Sequence, residues 1–339
     1  MGNWIMILGI LLMTMLDNDL HGGDGNALRL WQAPGRDDAC EVFIEWASGD
    51  RINIVYSANC CALGGAGALI NVSGGIAVAV PGLKESIGRG YSHSSYPSDY
   101  EDGHKPILEI FADDVPVLKV AELGKTKTGS LGSLARTPSK VKFVFSGRLK
   151  TAAMDIVVEQ TVNADLPRML FSHIQARYTR EVMVYRFYHQ MVQANPSYAQ
   201  GGIGLLTVEK GEPLGIDVEN APAESYKDFR DGLFYIKGKR QYVGFLSGEK
   251  DCVSLFNWKN NSYLAAYKIL VEKERRLPGE MTESRGVSCW GDSVDEAKRL
   301  LEIAEKVRLG RPAFTEGSAS PREKRLADAV SRAFGVVDM

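Results

Sequence analysis

The 339-residue chain predicts a mostly β protein, a large antiparallel β-sandwich followed by two C-terminal α-helices. Three observations predict it. Short β-rich segments, several of which alternate apolar and polar side chains, follow one another from about residue 27 to residue 275. Turn residues, not helical periodicity, lie between them, which excludes a doubly wound α/β sheet. Only beyond residue 292 do apolar side chains recur at the three-and-four spacing of a helix.

The expected strands are 27–32, 40–46, 51–56, 75–80, 107–111, 115–122, 141–149 and 153–162, then 170–178, 182–192, 203–209, 233–237, 241–246, 252–258 and 262–272. In 141–145 the apolar Val141, Phe143 and Phe145 point one way and Lys142 the other. Ser146-Gly147, Lys210-Gly211 and Ser247-Gly248 read as turns. The first helix opens on the capping box Ser293-Val-Asp-Glu296, and its apolar stripe runs through Leu300, Ile303, Ala304 and Val307. A second box, Ser320-Pro-Arg-Glu323, places Pro321 in the first turn, where its missing N–H costs nothing. Leu326, Ala327, Val330, Ala333 and Phe334 form its stripe. The two helices are expected to cover a sheet face or to form a dimer arm, hence a homo-oligomer through this segment. The division is thus an apolar N-terminal segment (1–20), a β-sandwich (21–292) and a helical segment (293–339).

Composition narrows the function classes. Hydrophobic residues make up 45% and charged residues 24%, the balance of a chain that can bury a core. Forty basic side chains against 42 acidic ones leave a net charge of −2, so no electrostatic footprint for a nucleic-acid backbone exists. No uninterrupted apolar run reaches the roughly 18 residues of a spanning helix. The run 4–16 (WIMILGILLMTML) reads as the core of a secretory signal, as a buried strand or helix, or as a retained anchor. The first reading gives a secreted or periplasmic protein and the second a cytoplasmic one. The five cysteines (Cys40, Cys60, Cys61, Cys252 and Cys289) show no C-x-x-C spacing, so a zinc ribbon is not indicated.

Two glycine-rich stretches interrupt the pattern. Residues 63–75 lack the Gly-Lys-Ser/Thr ending of a phosphate loop and read as a hairpin or bulge. Residues 125–139 (KTKTGSLGSLARTPS) form a polar loop suited to a lid.

Two stretches carry chemistry. Between Arg89 and Lys105 stand Tyr91, His93, Tyr96, Asp99, Tyr100, Glu101, Asp102 and His104, a mixture that cannot form a core strand. Sugars use such a mixture, because aromatic rings cover pyranose C–H faces while carboxylates, His and Arg take the hydroxyls. A Tyr/His pair beside a cation also suits abstraction of the proton α to a uronate carboxyl group. Asp99, Glu101 and Asp102 offer oxygen ligands for Ca²⁺, though without EF-hand spacing; no other cofactor is indicated. An ordered, tyrosine-rich surface loop is the plainer alternative.

The second stretch is 171–190. As a strand it places His173, Gln175 and Arg177 on one face, and after a turn near 179–181 it places Arg186 and Tyr188 on one face of the next strand. Side by side, the two strands present these five residues as a polar wall. A solvated sheet face with ordinary cross-strand pairs is the competing reading.

The segments Lys142-Phe-Val-Phe-Ser-Gly-Arg-Leu149, Met154-Asp-Ile-Val-Val-Glu-Gln-Thr-Val162 and Pro167-Arg-Met-Leu-Phe171, with the turn Leu277-Pro-Gly-Glu280, resemble consecutive elements of the galactose-mutarotase-like supersandwich proteins. The resemblance spans about residues 105–292 and is one of pattern. It implies a supersandwich fold and a carbohydrate ligand, since the superfamily includes sugar epimerases, polysaccharide lyase domains and accessory domains of glycosidases. No positions match the catalytic histidine and glutamate motifs of the mutarotases, so simple aldose mutarotation is not implied.

The function expected is a carbohydrate-active protein, with lyase-type β-elimination on uronate-containing glycans foremost. Tyr91, His93, Tyr100, His104 and His173 are its candidate acids and bases. Arg89, Tyr96, Gln175, Arg177, Arg186 and Tyr188 are its candidate substrate contacts. A non-catalytic sugar-binding module, and a glycoside hydrolase or epimerase using paired carboxylates or histidine, are the alternatives.

Overall fold

The computed structural model describes residues 28–32, 39–48, 51–57, 61–65, 70–73, 78–79, 107–121, 138–150, 153–167, 169–194, 203–207, 213–216, 228–229, 232–236, 241–245, 252–258 and 263–291, and most of 299–334. The strands are β1 (Leu28–Gln32), β2 (Ala39–Trp46), β3 (Arg51–Ser57), β4 (Cys61–Gly65), β5 (Ile70–Ser73), β6 (Val78–Ala79), β7 (Ile107–Ala112), β8 (Val115–Ala121), β9 (Lys140–Leu149) and β10 (Met154–Asn163). They continue as β11 (Met169–Tyr178), β12 (Val182–Ala194), β13 (Ile203–Thr207), β14 (Pro213–Ile216), β15 (Asp228–Phe229), β16 (Gly232–Ile236), β17 (Gln241–Phe245), β18 (Cys252–Trp258), β19 (Tyr263–Arg276) and β20 (Met281–Gly291). Helix α1 (Pro321–Phe334) follows, preceded by helical residues within 299–307.

Two antiparallel sheets contain these strands. Sheet I has the order β1-β2-β3-β4-β5-β12-β19-β18-β15, with β6 also on β12. Sheet II has the order β14-β13-β16-β17-β20-β11-β10-β9-β7-β8. The mostly β, antiparallel sandwich with two C-terminal helices is therefore the architecture.

Alternation decides which face of each strand is covered. In β10 the pattern is strict: Met154, Ile156, Val158, Gln160 and Val162 are buried and the residues between them are half-exposed. Strand β9 does the same with Val141, Phe143 and Phe145, as its sequence predicts. Leu28, Val42, Ile44, Val184, Phe187 and Val271 supply the buried set of sheet I. The Trp46 indole N–H donates to the Asn163 carbonyl at 2.7 Å, tying β2 to the end of β10. Such a bond lets a large apolar ring be buried without stranding its donor.

Local chemistry fixes two corners. Asp113 and Asp114 both adopt positive φ (48° and 66°), the two-residue turn whose twist matches paired strands. The Asp113 Oδ1 accepts from the Ser139 N–H (3.0 Å), the Ser139 hydroxyl (2.7 Å) and the Lys140 N–H (3.0 Å), which pins the β7–β8 hairpin to the start of β9. In the Leu277–Glu280 turn, Gly279 takes φ of 87° and its N–H donates to the Tyr178 carbonyl at 2.8 Å.

A second core lies on the outer face of sheet II. Met169, Phe171 and Val287 pack there with Leu300, Ile303 and Ala304 of the first helical stretch and Leu326, Ala329 and Val330 of α1. The C-terminal helices thus cover a sheet face. The capping box forms as its spacing predicts: the Glu323 N–H donates to the Ser320 hydroxyl at 3.3 Å and the Ser320 N–H to the Glu323 carboxylate at 2.8 Å. Arg299 reaches from the first helical stretch to the same carboxylate, so one buried acid caps α1 and joins the two helices.

Three expectations need correction. Ser146-Gly147 is no turn; both residues lie inside β9, paired with Val157 and Ile156 of β10, and Ser146 also with Ile107 of β7, because ladder pairing overrides a two-residue turn signal. Strand β20 was not among the expected strands, although it pairs with both β11 and β17; its run of Thr, Ser and Gly lacks apolar alternation. Strands β11 and β12, expected side by side, belong to different sheets. The glycine-rich stretch does contain a hairpin, β4 pairing with β5 through Leu63 and Val72.

Replacing the fully buried Phe187 by alanine is expected to cost about 3–5 kcal/mol of unfolding free energy, read from a denaturant midpoint. The Glu323 carboxyl is held below the usual range by the Ser320 N–H and by Arg299, against the opposing effect of burial. Because the folded value lies below the unfolded one, its contribution is present above the ordinary carboxylate range and is lost as pH falls through the folded value. Acid unfolding of Glu323→Gln should therefore be shallower than that of the parent in that window; equal slopes would show that the carboxylate does not hold the helices.

Candidate functional site

The outer face of sheet II changes character along its strands. At one end Phe171 and Val287 are buried beneath the helices. Two residues further along the same strands and on the same face stand His173 and Arg285. Register sets Glu159 of β10 opposite His173 on one side and Arg285 of β20 on the other. In the next row Val157, Gln175 and Glu283 are aligned, and beyond them Asp155, Arg177 and Met281.

The His173 imidazole sits between two carboxylates. Its Nε2 lies 2.7 Å from Oε1 of Glu283, and its Nδ1 lies 3.8 Å from Oε2 of Glu159. The Arg285 guanidinium donates to the same Glu283 oxygen at 3.1 Å. Partial burial pushes the Glu283 carboxyl up, but the hydrogen bond and charge of His173, together with Arg285, outweigh it and leave it below the usual range. His173 is 23% exposed and Glu159 42%, so ligand atoms can reach both. Beside this cluster, Gln175 is half-buried and Arg177 exposed, and the half-buried Val157 stands opposite Gln175.

The neighbouring columns are paired internally. Arg148 grips Asp155 through two bonds of 2.5 and 3.1 Å. Lys119 meets Glu109 at 2.9 Å. These ion pairs satisfy their own charges, whereas the second nitrogen of His173 faces Glu159 across a distance too long for a hydrogen bond. The arrangement therefore offers a carboxylate, an imidazole nitrogen and an amide on one face, beside one aliphatic side chain.

Sequence alternation correctly groups His173, Gln175 and Arg177 on one face. The five-residue wall does not form. Arg186 and Tyr188 lie on β12 of sheet I, opposite Glu272 and Ile269 of β19, where the ladder shifts register between Phe187 and Tyr188. The corner at 179–181 carries the chain from one sheet to the other, so the two strands are not neighbours. Arg89, Tyr91, His93, Tyr96, Tyr100 and His104, with the candidate Ca²⁺ ligands Asp99, Glu101 and Asp102, lie outside the described residues. The lid loop 125–139 lies almost wholly outside them. Among the described residues, no group of three His, Cys, Asp or Glu side chains could hold a metal ion, and no helix is long and apolar enough to cross a membrane.

Glu159, Glu283 and Arg285 were not singled out from the sequence. Alternation in β10 would have placed Glu159 on the outer face with Asp155 and Val157. Glu283 and Arg285 carried the same signal in the Glu-Ser-Arg alternation of β20, once that strand is known.

No family model and no characterised protein sequence matches the chain. Among solved structures it is similar to the galactosidase domain of an alpha-galactosidase–sucrose kinase, at 10% identity over 79% of this chain and 43% of that one, with a TM-score of 0.42. It is similar to a galactose 1-epimerase from Lactobacillus acidophilus, at 9% identity over 78% of this chain and 98% of that one, with a TM-score of 0.38. A GH36 alpha-galactosidase from Geobacillus stearothermophilus is similar at 8% identity over 82% of this chain and 43% of its own, with a TM-score of 0.44. The chain spans less than half the length of these galactosidases.

A solvated cluster contributes little to stability. His173→Ala is expected to change the unfolding free energy by about 1 kcal/mol or less in a urea titration. A loss of several kcal/mol would make the cluster a structural element rather than a site.

Proposed function

We propose that the chain is a carbohydrate-active protein and that the outer face of sheet II around His173 takes the sugar. One observation carries this reading: His173 lies between Glu159 and Glu283, with Gln175 and Arg177 following it on the same face and Val157 opposite Gln175. Carboxylate, imidazole and amide groups match the hydroxyls of a sugar ring, and the neighbouring Val157 offers apolar surface to a C–H group. The pattern resemblance of residues 105–292 to the supersandwich proteins agrees with a carbohydrate ligand. An imidazole backed by one carboxylate and facing another is also equipped for proton transfer at a hydroxyl or ring oxygen, the chemistry of a hydrolase or epimerase.

A second reading, β-elimination on a uronate, is favoured by a separate observation. Arg177 is exposed on the same strand face as His173 and has no ion pair among the described residues. Its fork suits a uronate carboxylate, while His173 would take the α proton.

Incubation with uronate-containing and neutral polysaccharides separates these readings. Reducing ends that appear without ultraviolet absorbance of an unsaturated product would indicate hydrolysis. Both together would indicate a lyase, and retention on a polysaccharide gel without turnover a binding module. In each case His173→Ala is expected to lower the response at least tenfold. No retention and no turnover on any member of the panel would refute a carbohydrate role.

A further inference from the structure

We infer that Glu283 is a positioning residue that fixes the His173 ring, so that Nδ1 and the Glu159 carboxylate together form a subsite for two neighbouring sugar hydroxyls. The inference rests on the carbohydrate reading above and names the part of the sugar that this site takes.

The argument begins with proton accounting. An ionised carboxylate only accepts hydrogen bonds, so the 2.7 Å contact between Nε2 and Glu283 requires the proton on Nε2. Arg285 donates to the same oxygen at 3.1 Å, which holds that carboxylate in place and ionised. In the neutral ring, Nδ1 then carries a lone pair. It points toward Glu159, whose carboxylate is also an acceptor, and 3.8 Å separates them. Two acceptors side by side repel each other until donors arrive.

Adjacent sugar hydroxyls supply such donors, one O–H to the Glu159 carboxylate and the next to Nδ1. A carboxylate group brings only acceptors, so a uronate would have to turn its carboxylate away from this pair, toward Arg177 or Arg285. The subsite therefore reads a neutral diol edge. Glu283 acts only through the ring it holds.

The test uses the full chain with ¹⁵N-labelled histidine, at a pH where the His173 ring is neutral. Its signals are assigned by their loss in His173→Ala. The parent protein is expected to show the Nε2–H form. Glu283→Ala should move the proton toward Nδ1, where Glu159 attracts it, and Glu283→Gln, whose amide oxygen still accepts, should restore the Nε2–H form. An Nδ1–H form in the parent, or no change in Glu283→Ala, would overturn the positioning role.

D-galactose, D-glucose, D-mannose and D-galacturonate are then titrated. At least one neutral hexose is expected to shift the Nδ1 signal, with affinity about tenfold weaker in Glu159→Gln and in Glu283→Ala. If galacturonate alone shifts it, or no sugar does, the diol subsite is refuted. Polysaccharide retention unaffected by Glu159→Gln would sink this inference and leave the carbohydrate reading standing. The expected proton position without any polysaccharide retention would do the reverse, sparing the positioning role of Glu283 and removing the sugar.

Discussion

The outer face of β11 and β20 changes from apolar to polar within two residues, and both the covering helices and the polar cluster follow from that step. Phe171 and Val287 require a cover, which the helical residues of 299–307 and α1 provide. His173 and Arg285, next on the same face, must remain wet. A sheet with both faces apolar along its whole length would need a third full layer. A sheet with a wholly polar outer face would leave the two helices without a partner. The boundary between covered and wet surface sets a wall of helices beside a field of charged side chains.

The energetics of the two regions differ accordingly. The inner face of sheet II and the core under the helices supply the free energy, through Ile156, Ile174 and Val287 and their neighbours, all nearly inaccessible to water. The ion pairs of the polar field are half-exposed, and pairs of that kind contribute little each. Buried polar groups occur where geometry forces them. Glu323 ends two helices at once, and its hydrogen bonds to Ser320 and Arg299 compensate its desolvation. Tyr178 is buried with its hydroxyl 3.4 Å from Thr282, and loss of solvent pushes that phenol up. The Gln160 amide nitrogen, by contrast, is buried with no hydrogen-bond partner among the described residues.

Much of the fold was legible in the sequence, because the two-residue period is a local property. Strand β10 shows it without interruption, and so it was read with nearly its true bounds. The capping box at Ser320 was legible for a similar reason, since both of its hydrogen bonds close within four residues. Sheet membership is not local. The corner after Tyr178 and the hairpins elsewhere both consist of a few polar residues between two strands. Whether such a corner joins neighbours or crosses to the other sheet depends on which faces are buried on all surrounding strands. The expected wall of His173 with Arg186 failed at that point. Strand β20 is hidden by its own composition, as Thr282, Ser284 and Gly286 fill its inner face with small residues instead of an apolar series.

The same non-locality explains why the candidate site was only half visible. Glu159, His173 and Glu283 come from β10, β11 and β20, and the last two stand 110 residues apart in the chain. A motif search sees residues that are close in sequence, and antiparallel sheets bring together residues that are not. What sequence does supply is the face: alternation put His173, Gln175 and Arg177 together, and alternation in β10 would have added Glu159. A polar cluster on one strand therefore has meaning only with the two strands that flank it. In this chain those flanking strands place a carboxylate on each side of the one histidine in β11. That arrangement gives the imidazole one carboxylate at 2.7 Å and a second at 3.8 Å, from strands that no local motif connects.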